Sequence, residues 1–175
     1  LDNQYYFKRD RIYGHYDDAE RFAFFARAVL EIIPHIGFKP DIIHCNDWQT
    51  AMTPVYYSTM YADQPGWENI ETVFTIHNIQ YQGVYGMELI GDVLGMQPGT
   101  EHIVEYNGCV NLMKGAIVVS DYVTTVSPNY ANELSHDYFA FGLSSIIRDC
   151  RYKMRGVING IDYGYFSPDK GGDIY

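Results

Sequence analysis

The sequence predicts an α/β fold, with a Rossmann-like parallel sheet and flanking helices. Segments rich in β-branched residues alternate with amphipathic segments, which is typical of parallel strands joined by right-handed helical crossovers. Each predicted strand also ends in polar residues, as expected where the carboxyl ends of parallel strands form a ligand-binding edge. An apolar fraction of 47% over 175 residues is enough for the core of one domain.

The first predicted helix covers residues 18–33. Asp17 and Glu20 have the spacing of a capping box, so we expect the Asp17 side chain to cap the first turn. Pro34 and Gly37 end the helical pattern. The apolar residues that share one face at helical spacing are Phe22, Ala26, Val29 and Ile33.

A short buried strand follows and ends at His44, where the polar run HCND interrupts an apolar pattern. A second helix is predicted over residues 48–61. Asp47 precedes this helix and is expected to cap it. Pro54 has no N–H to donate, so we expect it to bend the helix.

The remaining chain continues the alternation of strands and helices. Helices are predicted for MELIGDVLGM, for CVNLMKGAIVVSD and for the segment that begins at Pro128. The remaining strands and their polar ends are residues 71–76 with His77 and Asn78, residues 122–126 with Ser127 and Pro128, and RGVING with Asn159 and Gly160.

Each polar strand end also has a purely structural interpretation. Ser127-Pro128 is a common helix start, and Asn159-Gly160 is a common turn. Taken alone, His44 is typical of a hydrogen-bonded core histidine and Asp47 of a helix cap. We favour a site position for His77, because polar groups from several strands converge at one edge of the sheet.

The charge balance argues against two classes of partner, nucleic acids and membrane surfaces. The net charge is −10, from 22 acidic and 12 basic residues, whereas both partners attract basic surfaces. We interpret two small basic clusters as solvated surface; they are Lys8-Arg9-Arg11 and Arg148-Arg151-Lys153-Arg155.

Cysteine use indicates a reducing compartment. Cys45, Cys109 and Cys150 are too few and too irregularly spaced for a disulfide framework, so we expect small buried thiols in a cytoplasmic protein. No apolar run is long enough to span a bilayer. The chain starts without Met or a signal peptide, and we expect it to be a piece of a larger protein.

Several stretches carry a family likeness in their order and spacing. They are RIYGHYDDAERFAFFARA, DIIHCNDWQTAMTPVY, TVFTIHNIQYQGVYG, SDYVTTVSPNYANEL and GVINGIDYGYFSP. They resemble bacterial glycogen synthase, the ADP-glucose-using family related to plant starch synthases. The likeness covers essentially the whole chain. Gln49 stands where many relatives have His, so position 49 is not expected to be catalytic.

The resemblance implies a GT-B fold, in which two Rossmann-like domains face each other across a cleft. Residues 1–175 match a single partial domain, the latter part of the N-terminal one. The family's glycine-rich donor loop and its C-terminal domain have no counterpart in the chain. We therefore expect the isolated chain to be inactive and to self-associate through an exposed strand edge and apolar face.

The resemblance also implies an activity. The family transfers glucose from ADP-glucose to the 4-OH at the non-reducing end of an α-1,4-glucan, with retention at the anomeric carbon. Neither a metal nor another cofactor is required. The transition state resembles an oxocarbenium ion while the leaving diphosphate gathers negative charge, so catalysis depends on positioning and electrostatics.

The same likeness assigns roles to individual residues. His77 is expected to contact the donor glucose near its 6-OH, with its backbone carbonyl near the anomeric carbon, and Asn159 to bind the same sugar. Asp47 is expected to face the reacting sugars and favour developing positive charge. The other substrate-binding positions are Asn78 and Gln82 on the same wall and Tyr13 on the acceptor side.

Two other functions compete with this one. A metal-dependent hydrolase could use His44, Asp47 and His77 as ligands, although the spacing of common hydrolase motifs is absent. The second competing function is a non-catalytic glucan-binding module on the same fold. Elemental analysis separates the hydrolase from the transferase.

Overall fold

The computed structural model describes residues 3–166, which form alternating strands and helices. The strands are β1 (Ile42–Asn46), β2 (Glu71–Ile76), β3 (Val84–Tyr85), β4 (Glu105–Tyr106), β5 (Cys109–Asn111), β6 (Tyr122–Thr125) and β7 (Met154–Gly156). The α-helices are α1 (Gln4–Phe7), α2 (Asp18–Ile32), α3 (Asp47–Thr50), α4 (Met52–Tyr56), α5 (Leu89–Asp92), α6 (Leu112–Val119), α7 (Pro128–Glu133) and α8 (Ser144–Asp149).

The central sheet is parallel and has the strand order β1-β2-β6-β7. Its register places Ile43 beside Thr72 and Phe74 beside Val123. All strands of this sheet therefore end at one edge, as the alternating pattern predicts. The predicted strand over residues 71–76 is confirmed to the residue.

A small antiparallel sheet, β3-β5-β4, is absent from the sequence prediction. The chain forms strand β5 where the sequence predicts the start of a helix, so that prediction is wrong for residues 109–111. The Asn111 side chain accepts the Lys114 N–H at 2.9 Å and caps α6, which begins at Leu112. Strands of two or three residues are too short to produce a periodic pattern.

Two predicted helices are shorter or more divided than expected. The helix over residues 48–61 separates into α3, α4 and a π-helical segment. Pro54 cannot donate to the Thr50 carbonyl, and the α-helix is interrupted between Thr50 and Met52. The predicted helix near residue 90 contracts to α5, and Gly95 follows it with a left-handed φ of +56°.

Helix α2 begins at Asp18 as predicted, but the predicted capping box is wrong. Asp17 caps no backbone N–H with its side chain. Its carboxylate instead pairs with Arg9 Nη2 at 2.6 Å, and Glu20 accepts the Tyr6 hydroxyl. Residues in the segment before α2 therefore bind the side chains that are predicted to cap the helix. The charged Arg9 guanidinium binds the Asp17 carboxylate more strongly than a backbone N–H would.

The buried face of α2 differs from the predicted one. Phe22 and Ala26 are buried as predicted, whereas Val29 and Ile33 are only half-buried. Leu30, which is fully buried, takes their place. The apolar face of α2 that packs against the core therefore includes Leu30.

One face of the central sheet is covered by helices. Ile43, Phe74 and Val123 are buried and form one core cluster with side chains of α2, α4 and α6. On the other face, Ile42 is 55% exposed and Tyr122 is 49% exposed. In the part of the chain that the structure describes, this second face is open.

Two further expectations concern membrane-spanning segments and the burial of the cysteines. Among residues 3–166, none of the helices has both the length and the apolar character needed to cross a membrane.

Cys45 and Cys150 are buried as predicted, but Cys109 is only half-buried. Burial raises the pKa of the Cys45 thiol to about 12, so this thiol stays protonated and unreactive near neutral pH.

Gly156 determines how closely β7 approaches the start of α7. A Cβ at this position would lie 2.2 Å from the Ser127 carbonyl oxygen and 2.3 Å from the Pro128 nitrogen. Gly156→Ala should lower the free energy of unfolding by about 2 kcal/mol or more, because both neighbours are backbone atoms that cannot rotate aside. Urea unfolding of the protein measures this change.

Gly91→Ala is the matched control for this substitution. A Cβ at Gly91 meets no atom within 4 Å, and the residue lies in α5. We expect it to be neutral or to stabilise the protein by about 0.5–1 kcal/mol, since Ala favours helix. Equal stability of the two variants would contradict the close approach at Gly156.

Candidate functional site

A pocket of about 260 Å³ lies at the carboxyl edge of the central sheet, on its open face. Its walls come from the ends of β1, β2 and β6, which the sequence marks as polar, and from the segment after β7. The predicted strand RGVING is wrong beyond Gly156, where β7 ends, so Asn159 follows the strand at a distance of three residues. Polar residues in its lining are His44, Asn46, Thr75, His77, Thr124, Thr125 and Asn159.

Asp47 links the ends of β1 and β2. Its φ is +57°, in the left-handed region that Asp and Asn tolerate better than most residues. Its Oδ1 accepts the backbone N–H of His77 at 2.8 Å. The prediction that Asp47 caps the following helix is therefore wrong, because its carboxylate bonds across the sheet edge to the neighbouring strand end.

The His77 imidazole is oriented by Asn46. His77 Nε2 lies 3.0 Å from Asn46 Oδ1. An amide oxygen can only accept, so Nε2 carries the hydrogen. In the neutral ring Nδ1 is then an acceptor, and it has no hydrogen-bond partner within residues 3–166. The exposed ring therefore has a fixed direction and can accept a hydrogen bond from a hydroxyl group.

A hydrogen-bonded row of side chains crosses three strands beneath the pocket. His44 Nε2 lies 2.7 Å from Thr75 Oγ1, which lies 2.6 Å from Thr124 Oγ1. His44 is exposed on the open face, so its interpretation as a core histidine is wrong. The row holds these side chains in one arrangement at the base of the pocket.

The remaining predicted substrate residues differ in their distance from this pocket. Asn159 lines it, beyond the end of β7. Asn78 is exposed next to His77, and its Oδ1 accepts the Gln80 N–H at 3.0 Å. Tyr13 is 57% exposed on the loop between α1 and α2 and does not line the pocket.

Gln82 is buried and bonded within the protein. Its Nε2 donates to the carbonyl oxygens of Ile79 and Phe141, each at 3.0 Å. Its Oε1 accepts Asn111 Nδ2 at 2.7 Å. The Gln82 side chain thus connects the segment after β2 to the start of α6 and to the loop after α7.

The sequence prediction assigns no role to several lining residues of the pocket, among them Asn46, Thr75 and Thr124. Thr75 and Thr124 have neighbouring register positions on the same face of the sheet as Asn46. Alternation along each strand was the only available signal, since it assigns residues to faces but does not identify the open one.

The three ligands considered for a metal site have separate hydrogen-bond partners. His44 bonds to Thr75, Asp47 to the His77 N–H, and His77 Nε2 to Asn46. Within the described part of the chain, no group of three His, Cys, Asp or Glu side chains could hold a metal ion. This geometry does not support the hydrolase alternative.

Comparison with known proteins gives consistent matches. A family model described as the starch synthase catalytic domain matches residues 1–149. Glycogen synthase of Alkaliphilus metalliredigens (strain QYMF) is 52% identical over 170 residues, 96% of this chain and 36% of the relative. Glycogen synthase of Bacillus cereus (strain ATCC 14579) is 46% identical over 173 residues, 97% of this chain and 36% of the relative.

A solved structure matches the fold as well. The catalytic domain of Starch Synthase IV from Arabidopsis thaliana, bound to ADP and acarbose, superposes with a TM-score of 0.83 at 38% identity, over 93% of this chain and 34% of that one. The chain thus spans about a third of the length of the relatives it matches. Its sequence and its parallel α/β fold show that it belongs to the starch synthase catalytic domain family.

Proposed function

We propose that this chain forms one wall of the active site of a glycosyltransferase, as the latter part of its N-terminal GT-B domain. The enzyme transfers glucose from ADP-glucose to the non-reducing end of an α-1,4-glucan, with retention at the anomeric carbon. The observation that carries the proposal is the 2.8 Å bond from the His77 N–H to Asp47, which joins adjacent strand ends beside a pocket.

The relatives support the identity of the substrates. The curated relatives are named glycogen synthase, and the Arabidopsis structure was bound to ADP and acarbose. By similarity we assign an ADP-sugar donor and an α-glucan acceptor to this chain. The free thiols of Cys45, Cys109 and Cys150 support a cytoplasmic location.

The two central residues have complementary roles in this proposal. Positive charge develops at the anomeric carbon in the transition state, and the Asp47 carboxylate stabilises it electrostatically. The His77 ring, oriented by Asn46, binds a donor hydroxyl through Nδ1 and holds the sugar in position. No cofactor takes part.

The other assigned residues serve binding or support. Asn159 and Asn78 present exposed amides that can bind sugar hydroxyls. We assign Gln82 to support of this wall, because its amide is already bonded to Ile79, Phe141 and Asn111. Tyr13 offers an exposed ring to the acceptor.

The function is tested by following radiolabelled glucose from ADP-glucose into glycogen with the full-length protein. We expect an α-1,4-linked product, and dialysis against EDTA should leave the rate unchanged. Release of free glucose without transfer, or loss of the activity with EDTA and its recovery with zinc or manganese, would favour the hydrolase. Glucan binding without transfer would favour the non-catalytic module.

The isolated 175-residue chain should show no transfer. The leaving diphosphate needs cationic groups nearby, and neither Lys nor Arg is among the described residues that line the pocket. Ile42 and Tyr122 are exposed on the open sheet face, so we also expect self-association. The checks are the same transfer assay and light scattering, with the full-length protein in parallel. Transfer by a monomeric chain would contradict both expectations.

A further inference from the structure

We propose that the buried ion pair of Arg21 and Asp18 is a positioning device, which fixes the backbone on both sides of Tyr13 and so places its side chain for the glucan acceptor. The inference rests on the acceptor role proposed for Tyr13 above. The segment concerned is the loop over residues 8–17, which joins α1 to α2.

The Arg21 guanidinium connects three parts of the chain. It is only 2% exposed. Its Nε donates to the Tyr6 carbonyl oxygen at 2.7 Å, its Nη1 to Asp18 Oδ1, and its Nη2 to the Ile12 carbonyl oxygen at 3.2 Å. Arg21 therefore holds α1, the loop and α2 together, and one of its contacts is the residue before Tyr13.

Asp18 holds the other side of Tyr13. Its Oδ2 accepts the Gly14 N–H at 2.6 Å and the His15 N–H at 3.1 Å. Gly14 has a left-handed φ of +91°, which allows the chain to turn toward this carboxylate. Because Asp18 also binds Arg21, a single ion pair restrains the peptide groups that precede and follow Tyr13.

The Tyr13 side chain itself is not restrained by the protein. Its ring is 57% exposed, and its hydroxyl has no hydrogen-bond partner within residues 3–166. A buried ion pair is a poor source of net stability, because desolvation offsets the attraction, but it can specify one conformation. Here the conformation that it specifies is that of the loop. With the backbone fixed at Tyr13, only the side-chain torsions of its ring remain to be ordered when it binds a sugar, so less entropy is lost.

Asp18→Asn is the direct test, measured in the full-length protein with maltohexaose as acceptor. The amide keeps the size of the side chain but has a single oxygen, so it cannot accept both from Arg21 and from the Gly14 and His15 N–H groups. We expect the KM for maltohexaose to rise about tenfold, while kcat and the KM for ADP-glucose change by less than about twofold.

A double-mutant cycle with Tyr13→Ala separates positioning from general loosening of the fold. If Asp18 acts through the Tyr13 ring, Tyr13→Ala combined with Asp18→Asn should show the same acceptor KM as Tyr13→Ala alone. If the fold-changes in acceptor KM of Tyr13→Ala and Asp18→Asn instead multiply in the double variant, the two residues act independently and the inference is overturned.

Asp17→Asn is the matched control. Asp17 is an adjacent aspartate, 7% exposed against 5% for Asp18, and it pairs with Arg9 at the other end of the loop rather than with the peptide groups beside Tyr13. We expect its acceptor KM to change by less than about twofold. A shift as large as that of Asp18→Asn would overturn the inference, because loss of any buried pair would then be sufficient.

The outcomes distinguish this inference from the proposed function. An unchanged acceptor KM in Tyr13→Ala contradicts the acceptor role of Tyr13 itself. A raised KM in Tyr13→Ala with a normal KM in Asp18→Asn overturns only the positioning role. If Asp18→Asn fails to fold by near-UV circular dichroism, Arg21→Lys replaces it, since Lys keeps the charge but lacks the fork that reaches Ile12 and Asp18 together.

Discussion

Asp47→Asn in the full-length protein should lower kcat by about 100-fold and leave the fold intact. Asn tolerates the left-handed φ of +57° at this position, and its Oδ1 can accept the His77 N–H as the aspartate does. The substitution therefore removes the negative charge and keeps the geometry. If the carboxylate stabilises developing positive charge, its loss appears in kcat rather than in stability.

Asp47→Ala is the comparison that identifies the structural contribution. Alanine lacks the acceptor for the His77 N–H and is strained at positive φ, so we expect a loss of stability of about 1–3 kcal/mol in addition to the loss of activity. Thermal unfolding and steady-state kinetics of both variants give the two quantities. Near-normal kcat in Asp47→Asn, with a defect only in Asp47→Ala, would show that Asp47 is structural.

Elements with a strong local pattern could be predicted from the sequence. Residues 71–76 are a β-rich run that ends in His77-Asn78, and the strand has these bounds. The alternation of strands with helices also predicts that His44, Asp47 and His77 lie at one edge, and the parallel register confirms this. Local propensity and tertiary structure agree at these positions.

The errors occur where a distant partner decides the conformation. Asp17 fits a capping box locally, but Arg9 binds its carboxylate. Asp47 fits a helix cap, but the end of β2 supplies the N–H that it accepts. Gln82 is a polar residue near the site, but its amide donates to the Phe141 carbonyl oxygen, which is far away in sequence. No periodic pattern contains these contacts, because they form only when the elements pack.

His77→Ala in the full-length protein should lower kcat by about 100- to 1000-fold, with a much smaller rise in the KM for ADP-glucose. The substitution leaves the backbone N–H that binds Asp47 and removes the ring that Asn46 orients. The local fold should therefore persist. An interaction that strengthens mainly in the transition state affects turnover more than ground-state binding, and steady-state kinetics over a range of donor concentrations separate the two.

His44→Ala is the matched control for this prediction. His44 is also an exposed histidine that lines the pocket, on the adjacent strand, but its Nε2 bonds to Thr75 beneath the site. We expect kcat to fall by less than about tenfold in this variant, because the bond to Thr75 gives His44 a supporting role and the proposal assigns the contact with the reacting sugar to His77. Near-normal turnover in His77→Ala would contradict the catalytic role of His77. Equal losses in the two variants would mean that the pocket requires both rings as structure, and that His77 has no separate part in the transfer.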